Sequence, residues 1–161
     1  MKSPYLSETG CCPRFVPEPW NEKELHWDSK LFLKDRVLCL FYVPLGFGRV
    51  MARNMARIGQ AGAFTPEPPL VLSDHTSRWN MDVYIEVTKE IPNSENVRLS
   101  GSFLSKVFEG PFKNTGKWCK EMADWVRSKG KTIKRHLMYY TTCPRCARHY
   151  GKNYVVILAE V

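Results

Sequence analysis

From Val107 to Gly130 the chain reads VFEGPFKNTGKWCKEMADWVRSKG, a strand end, a tight turn, a helix and a helix stop in unbroken succession. Glu109-Gly110-Pro111 closes the extended run, because the residue before a proline is pushed out of the helical region. The helix must therefore begin later. Asn114 or Thr115 offers an N-cap oxygen, Trp118, Met122, Trp125 and Val126 share one helical face, and Gly130 stands where a left-handed terminal residue is wanted. A chain carrying this unit needs an apolar sheet surface for the helix to cover.

The same order of elements occurs earlier. Leu31 to Val43 reads as a strand, apolar on both faces in RVLCLFYV and stopped by Pro44-Leu45-Gly46. Phe47, Val50, Met51, Met55 and Ile58 then recur at helical spacing until Gly62. Leu70 to Ser73 and Asn80 to Thr88 read as strands, with Val83, Ile85 and Val87 on one face of the second and Asp82, Tyr84 and Glu86 on the other. Past the linker Ile91 to Asn96, the pattern returns as strand Val97 to Glu109, the helix above, and strands Arg135 to Thr142 and Tyr154 to Val161. The expected fold is α+β: two strand-helix-strand-strand modules, residues 31–91 and 97–161, in pseudo-twofold arrangement, with an antiparallel sheet and both helices on one face. Residues 1–30, holding Pro4, Pro13, Pro17 and Pro19 among Phe15, Trp20 and Trp27, read as an irregular arm packed on that domain.

The chain has 161 residues and 43% hydrophobic content, enough for one proper core. No apolar run reaches the roughly 18 residues a bilayer span needs, and MKSPYLSETG has no apolar signal core. The expectation is a cytoplasmic protein with no membrane partner. The net charge of +8 comes from basic residues scattered along the chain; no groove-reading element accompanies them, so specific nucleic-acid binding is not expected. Oligomeric state is open.

FEGPF, a helix with Trp118 and Trp125, a Tyr139-Tyr140 strand and the closing ILAEV together resemble the second half of the GyrI-like family, stand-alone relatives of the effector-binding domain of multidrug-responsive transcription regulators. PLGFG and DVYIEV, with the helix between them, resemble the first half. The resemblance covers residues 31–161 and implies a concave sheet face that binds flat, aromatic, often cationic ligands. It also implies, for some members, hydrolysis of cyclopropane-bearing alkylating compounds by an acidic side chain. Members commonly carry an acid early in the last strand, where this chain has Val155 or Val156. By the internal repeat Val156 corresponds to Asp82, so the first module keeps the carboxylate that the second lacks. Asp82 and Glu86 are the candidate catalytic acids, one orienting a water as general base, while Trp79, Tyr84, Tyr139 and Tyr140 are candidates for stacking on the ligand. A solvated polar face is the competing reading of the same strand.

Six cysteines in a chain without secretory features point to thiols or metal ligands rather than disulfides. Cys39 and Cys119 fall in apolar patterns and read as core. Cys143-Pro144-Arg145-Cys146, in the connection between the last two strands, has the spacing that aims two thiolates at one zinc ion. Cys11 and Cys12 would complete a structural site, His149 standing by as a substitute, and zinc would clip the arm to a hairpin tip. Free thiols and a redox pair are the alternatives; a redox CxxC normally opens a helix after a strand. No organic cofactor is called for. SDH at Ser73 to His75 lacks the sequence context of a nucleophilic serine. The readings are a small-molecule-binding hydrolase of GyrI type, a non-catalytic sequestering or sensor module, and a zinc-clipped interaction protein with a basic surface.

Overall fold

A computed structural model describes residues 7–161. Its elements are β1 (Lys23–Leu40), β2 (Val43–Pro44), α1 (Phe47–Ala61), β3 (Val71–Asp74), β4 (Asn80–Glu86), β5 (Glu95–Glu109), α2 (Thr115–Ser128), β6 (Arg135–Tyr140), α3 (Pro144–Tyr150) and β7 (Tyr154–Glu160). The described residues divide into two compact units, residues 27–100, and residues 7–26 with 101–161.

In the first unit the strands run antiparallel in the order β2-β1-β4-β3, with Leu33 opposite Ile85 and Val71 opposite Ile85 on the other side. Strand parity puts Met81, Val83, Ile85 and Val87 on one face, where they pack with Leu33, Val37 and Ile58, flanked by Val50, Met51 and Met55 of α1. The helix ends where Gly62 turns left-handed at φ 62°, its N–H reaching back to the Gly59 carbonyl. After β4 the chain is pinned by one side chain: Asn96 accepts from the Ile91 N–H at 2.8 Å and donates to the Ile91 carbonyl at 2.9 Å.

The second unit orders its strands β6-β7-β5, again antiparallel, with Leu158 between Leu137 and Ser105. Gly110 adopts φ 137°, a conformation open to glycine alone, and a Cβ there would meet Trp118 and Asn114 at 3.4 Å. A single 3-10 turn at Phe112–Asn114 then leads into α2. The expected side-chain cap is not made; Thr115 Oγ1 donates instead to the Phe112 carbonyl at 2.6 Å. Trp118, Met122 and Val126 bury one face of α2 against Leu104, Phe108, Met138, Val155, Ile157 and Ala159. Met122 is fully buried there, so Met122→Ala is expected to lower the unfolding free energy by roughly 2–5 kcal/mol in urea titration.

Helices and strands fall near their expected places, but the expected α+β class does not hold. The chain is mostly antiparallel sheet with three short helices, and not two modules in pseudo-twofold arrangement with both helices on one face. Three findings overturn it. Strand β1 starts eight residues before Leu31, so the supposed arm from Lys23 onward is sheet. A third helix, α3, occupies the connection expected to be a hairpin turn. Above all, the face expected to stay open is filled. Phe32, Leu72 and Tyr84 in the first unit and Phe103, Leu137, Val156 and Leu158 in the second are all buried, so the central strands bury both faces. A sheet apolar on both sides has no solvated concavity to offer.

Candidate metal centre and candidate acid sites

The arm of the second unit enters as a tight series of turns, with Gly10 at φ 67°, and presents Cys11 and Cys12 side by side. On the facing element, Cys143 is the N-cap of α3 and Pro144 its first residue, a position where proline's fixed φ suits a helix start. Cys146 follows one turn later. The four sulfurs lie within 4.8 Å of one another, a group able to hold a metal ion. Cys11 and Cys12 Sγ are 3.7 Å apart, so the adjacency of these two residues is no obstacle to joint ligation.

Hydrogen bonds hold the two elements together around the sulfurs. The Cys143 N–H donates to Cys12 Sγ at 3.4 Å, Cys146 Sγ donates to Thr9 Oγ1 at 3.3 Å, and the Tyr150 hydroxyl donates to the Cys12 carbonyl at 2.6 Å. Arg14 stacks 4.6 Å over the Tyr150 ring while making two bonds of 3.0 Å to Glu8. His149, the substitute ligand, turns to Glu8 at 3.6 Å. Electrostatics divide the thiols: burial pushes Cys11 and Cys12 up. Burial acts the same way on Cys146, but its hydrogen-bond contacts with Thr9, the Cys12 backbone and Cys143 outweigh it and bring that thiol down to about 6. A bound cation would draw the protons off the four sulfurs. Because CPRC opens a helix after a strand, local placement alone fits a redox pair as well as it fits a zinc knuckle; the convergence of four sulfurs distinguishes them.

The candidate acids lie in the first unit. Asp82 is the one buried charged side chain among the described residues. Lys34 Nζ approaches it at 3.6 Å and Arg36 Nε at 3.4 Å, the latter from the strand position directly opposite. Burial draws the Lys34 ammonium down, but Tyr84, Asp82 and Glu95 outweigh it and hold it above its usual value, so the lysine is charged. Its Nζ also stands 5.9 Å over the Tyr84 ring. Glu86 is committed at both oxygens, to Lys30 Nζ at 2.6 Å and to the Leu70 N–H at 3.0 Å. At the end of β7, Glu160 holds Arg135 Nε at 2.8 Å. Trp79 is exposed and packs against Phe41 at 5.1 Å, away from the buried Tyr84.

In the second unit Tyr139 is covered by the arm, with Phe15 at 5.9 Å and Trp20 at 5.3 Å, and Tyr140 packs on Phe112 at 5.7 Å. Sequence reasoning missed a shallow groove of about 280 Å³ lined by Pro17, Glu18, Asn21, Val107, Glu109 and Tyr154. Its signal was present in Glu109, the acid of FEGPF, read only as a strand end.

Two histidines give the molecule an acid sensitivity. Burial holds His75 and His136 below the usual histidine value, and His136 Nε2 has no hydrogen-bond partner. Their folded values lie below the unfolded one, so the unfolded chain takes up protons first as pH falls through about 6.5. Stability present above that pH is lost below it. The melting midpoint is expected to drop between pH 7.5 and 5, and His136→Leu to flatten the slope.

Among the described residues no helix is long and apolar enough to cross a membrane. No curated protein gives a significant match to the chain. The family described as bacterial hydrolase matches residues 3–161, arm, cysteine cluster and both units included, and the chain belongs to that family.

Proposed function

We propose that this hydrolase activates water with a carboxylate and uses zinc for structure alone. The four-sulfur cluster carries the reading. Tetrahedral zinc with Zn–S near 2.3 Å sets its sulfurs roughly 3.8 Å apart, close to the 3.7 Å between Cys11 and Cys12. Four thiolates close the shell, whereas a hydrolytic zinc keeps one position for water. Water activation then falls to a side chain.

Asp82 is the group we assign. A carboxylate kept buried between Lys34 and Arg36 is a costly arrangement unless it is used or fully compensated. Asp82 would take a proton from water as the oxygen bonds to an electrophilic carbon. The partly exposed, charged Lys34 would support the electron pair released by the bond that breaks. Glu86, held more tightly at 2.6 and 3.0 Å than Asp82 at 3.6 and 3.4 Å, serves better as the brace that ties the end of β4 to β1 and to the approach to β3. The substrate class that suits this reading is a flat aromatic compound bearing a strained electrophilic ring, as the GyrI-like resemblance implies. Incubation with an aryl cyclopropyl ketone, followed by mass spectrometry, tests it: a product heavier by one water is expected. Unreacted probe after prolonged incubation with metal-replete protein rejects this substrate class.

The groove favours a second reading. Glu18 and Glu109 beside the Tyr154 ring offer what a flat cation needs, two acids and an aromatic face. There the protein would bind rather than hydrolyse, and Glu109→Gln would weaken a cationic dye while leaving turnover alone.

A further inference from the structure

At one end of the first unit the chain does what soluble chains avoid. Leu40 pairs with Val43, so Phe41 and Tyr42 alone make the β1–β2 turn. Both have positive φ, 47° and 68°. A two-residue turn of this mirror-image kind strongly prefers Asn-Gly, because a side chain at positive φ is strained. Two bulky aromatics hold the places instead, and they point outward. Leu38, Leu40, Phe41, Tyr42, Val43 and Trp79 are each at least 48% exposed, and Phe41 and Trp79 are in ring contact. Contiguous exposed apolar surface of this kind marks a contact site.

Charge says what covers it. From Asp35 to Arg78 the chain has five arginines and three acids, Asp35, Glu67 and Asp74. Asp35 holds Arg53 at 2.6 Å and Asp82 holds Arg36 at 3.4 Å, so Arg49, Arg57 and Arg78 are the cations outside these pairs. Arg36 shares the outward strand face with Leu38 and Leu40 by period-two spacing, and is exposed. Arg49, Arg53 and Arg57 follow at four-residue spacing along α1, all exposed. Arg78 precedes Trp79, and its carbonyl accepts the Tyr42 N–H at 2.9 Å. A second copy of the chain would bring these arginines against their equivalents. An anionic surface would not. The hairpin is also fit for low dielectric at its backbone: the N–H groups of Cys39, Tyr42 and Leu45 donate to the carbonyls of Trp79, Arg78 and Leu38 at 2.7 to 2.9 Å.

We infer that the β1–β2 hairpin is an interfacial anchor that seats the protein on an anionic lipid surface. Phe41, Tyr42 and Trp79 enter the headgroup boundary, where aromatic rings with a polar edge are favoured. The arginines stay at the phosphates. The inference revises the expectation of no membrane partner without requiring a spanning helix, and it does not depend on the hydrolytic site.

Co-sedimentation with large vesicles tests it. The full chain is expected to pellet with phosphatidylcholine vesicles containing a third phosphatidylglycerol, to release in high salt, and to stay in solution with phosphatidylcholine alone. The double variant Phe41→Asn, Tyr42→Gly gives the turn its preferred residues, so its melting midpoint should equal or exceed that of the unaltered chain. Its vesicle affinity should nevertheless fall at least tenfold. Failure of the unaltered chain to pellet with anionic vesicles overturns the inference, as does undiminished pelleting of the folded variant. Micromolar dimerisation abolished by the same variant, without vesicle binding, would assign the patch to a second copy.

Discussion

Cys143→Ser will leave the protein without its metal. The unaltered chain, purified without chelator, is expected to carry close to one zinc per molecule, since four sulfurs within 4.8 Å of each other need little rearrangement to close a tetrahedral shell. A hydroxyl in place of one thiolate removes an anionic ligand from an ion that favours sulfur here. Cys39→Ser, a change at a buried cysteine outside the cluster, should keep the metal. The loss should be large in stability too. Cys12 and Cys143 are 131 positions apart, and cross-linking a loop of that length restricts the unfolded chain by about 5 kcal/mol. Chelation should therefore lower the melting midpoint of the unaltered protein and leave that of Cys143→Ser unmoved. Metal-free protein with Cys11, Cys12 and Cys143 titrating freely would remove zinc from the account.

Asp82→Asn is expected to reduce turnover of the strained-ring probe by about 10²–10⁴-fold, the usual share of a positioned general base. The amide keeps the shape of the carboxylate, but its single oxygen can accept from only one of Lys34 and Arg36, and it cannot take a proton from water. Glu86→Gln provides the contrast. Its ion pair with Lys30 would weaken, so the variant should melt earlier while its kcat stays near that of the unaltered chain. The reverse pattern, with turnover lost in Glu86→Gln and kept in Asp82→Asn, would move the base four residues along β4. If Glu109→Gln alone abolished turnover, the reaction would belong in the groove.

The parts of the fold that could be read from the residues are those where one face is apolar and the ends are punctuated. Helix α1 runs from Phe47 to Ala61, with Gly62 as its stop, because the stripe from Phe47 to Ile58 has a single period and a glycine after it. The inward set Val83, Ile85 and Val87 was legible for the same reason. Strand β1 was cut short because KELHWDSK alternates weakly, its side chains being mostly exposed and polar. Helix α3 escaped notice because seven residues are too few for a period; Pro144 at its start and Gly151 at φ 75° were its only marks. The class error came from strands whose two faces were both apolar. VVILA in β7 has no polar side at all, and Tyr84 lies buried between the acids of β4; that pattern describes a sheet covered twice. The cysteine cluster was legible from spacing plus count. The depth at which Asp82 lies was not, because the cations that accompany it come from β1, paired with β4 through register rather than sequence nearness.

The place of the cluster along the chain also decides how the molecule bears tension. With metal bound, everything from Cys12 to Cys143 lies inside a closed link, and a pull applied across that link loads four sulfur–metal bonds before it reaches the hydrogen bonds of α1, β1 or β5. Residues after Cys146 have no such protection. Strand β7, held by its register with β5 and β6 and by packing under α2 but by no link to the metal, is the segment that a pull from the carboxyl end would peel away first. Dismantling from that end would thus strip one strand and then halt at the metal.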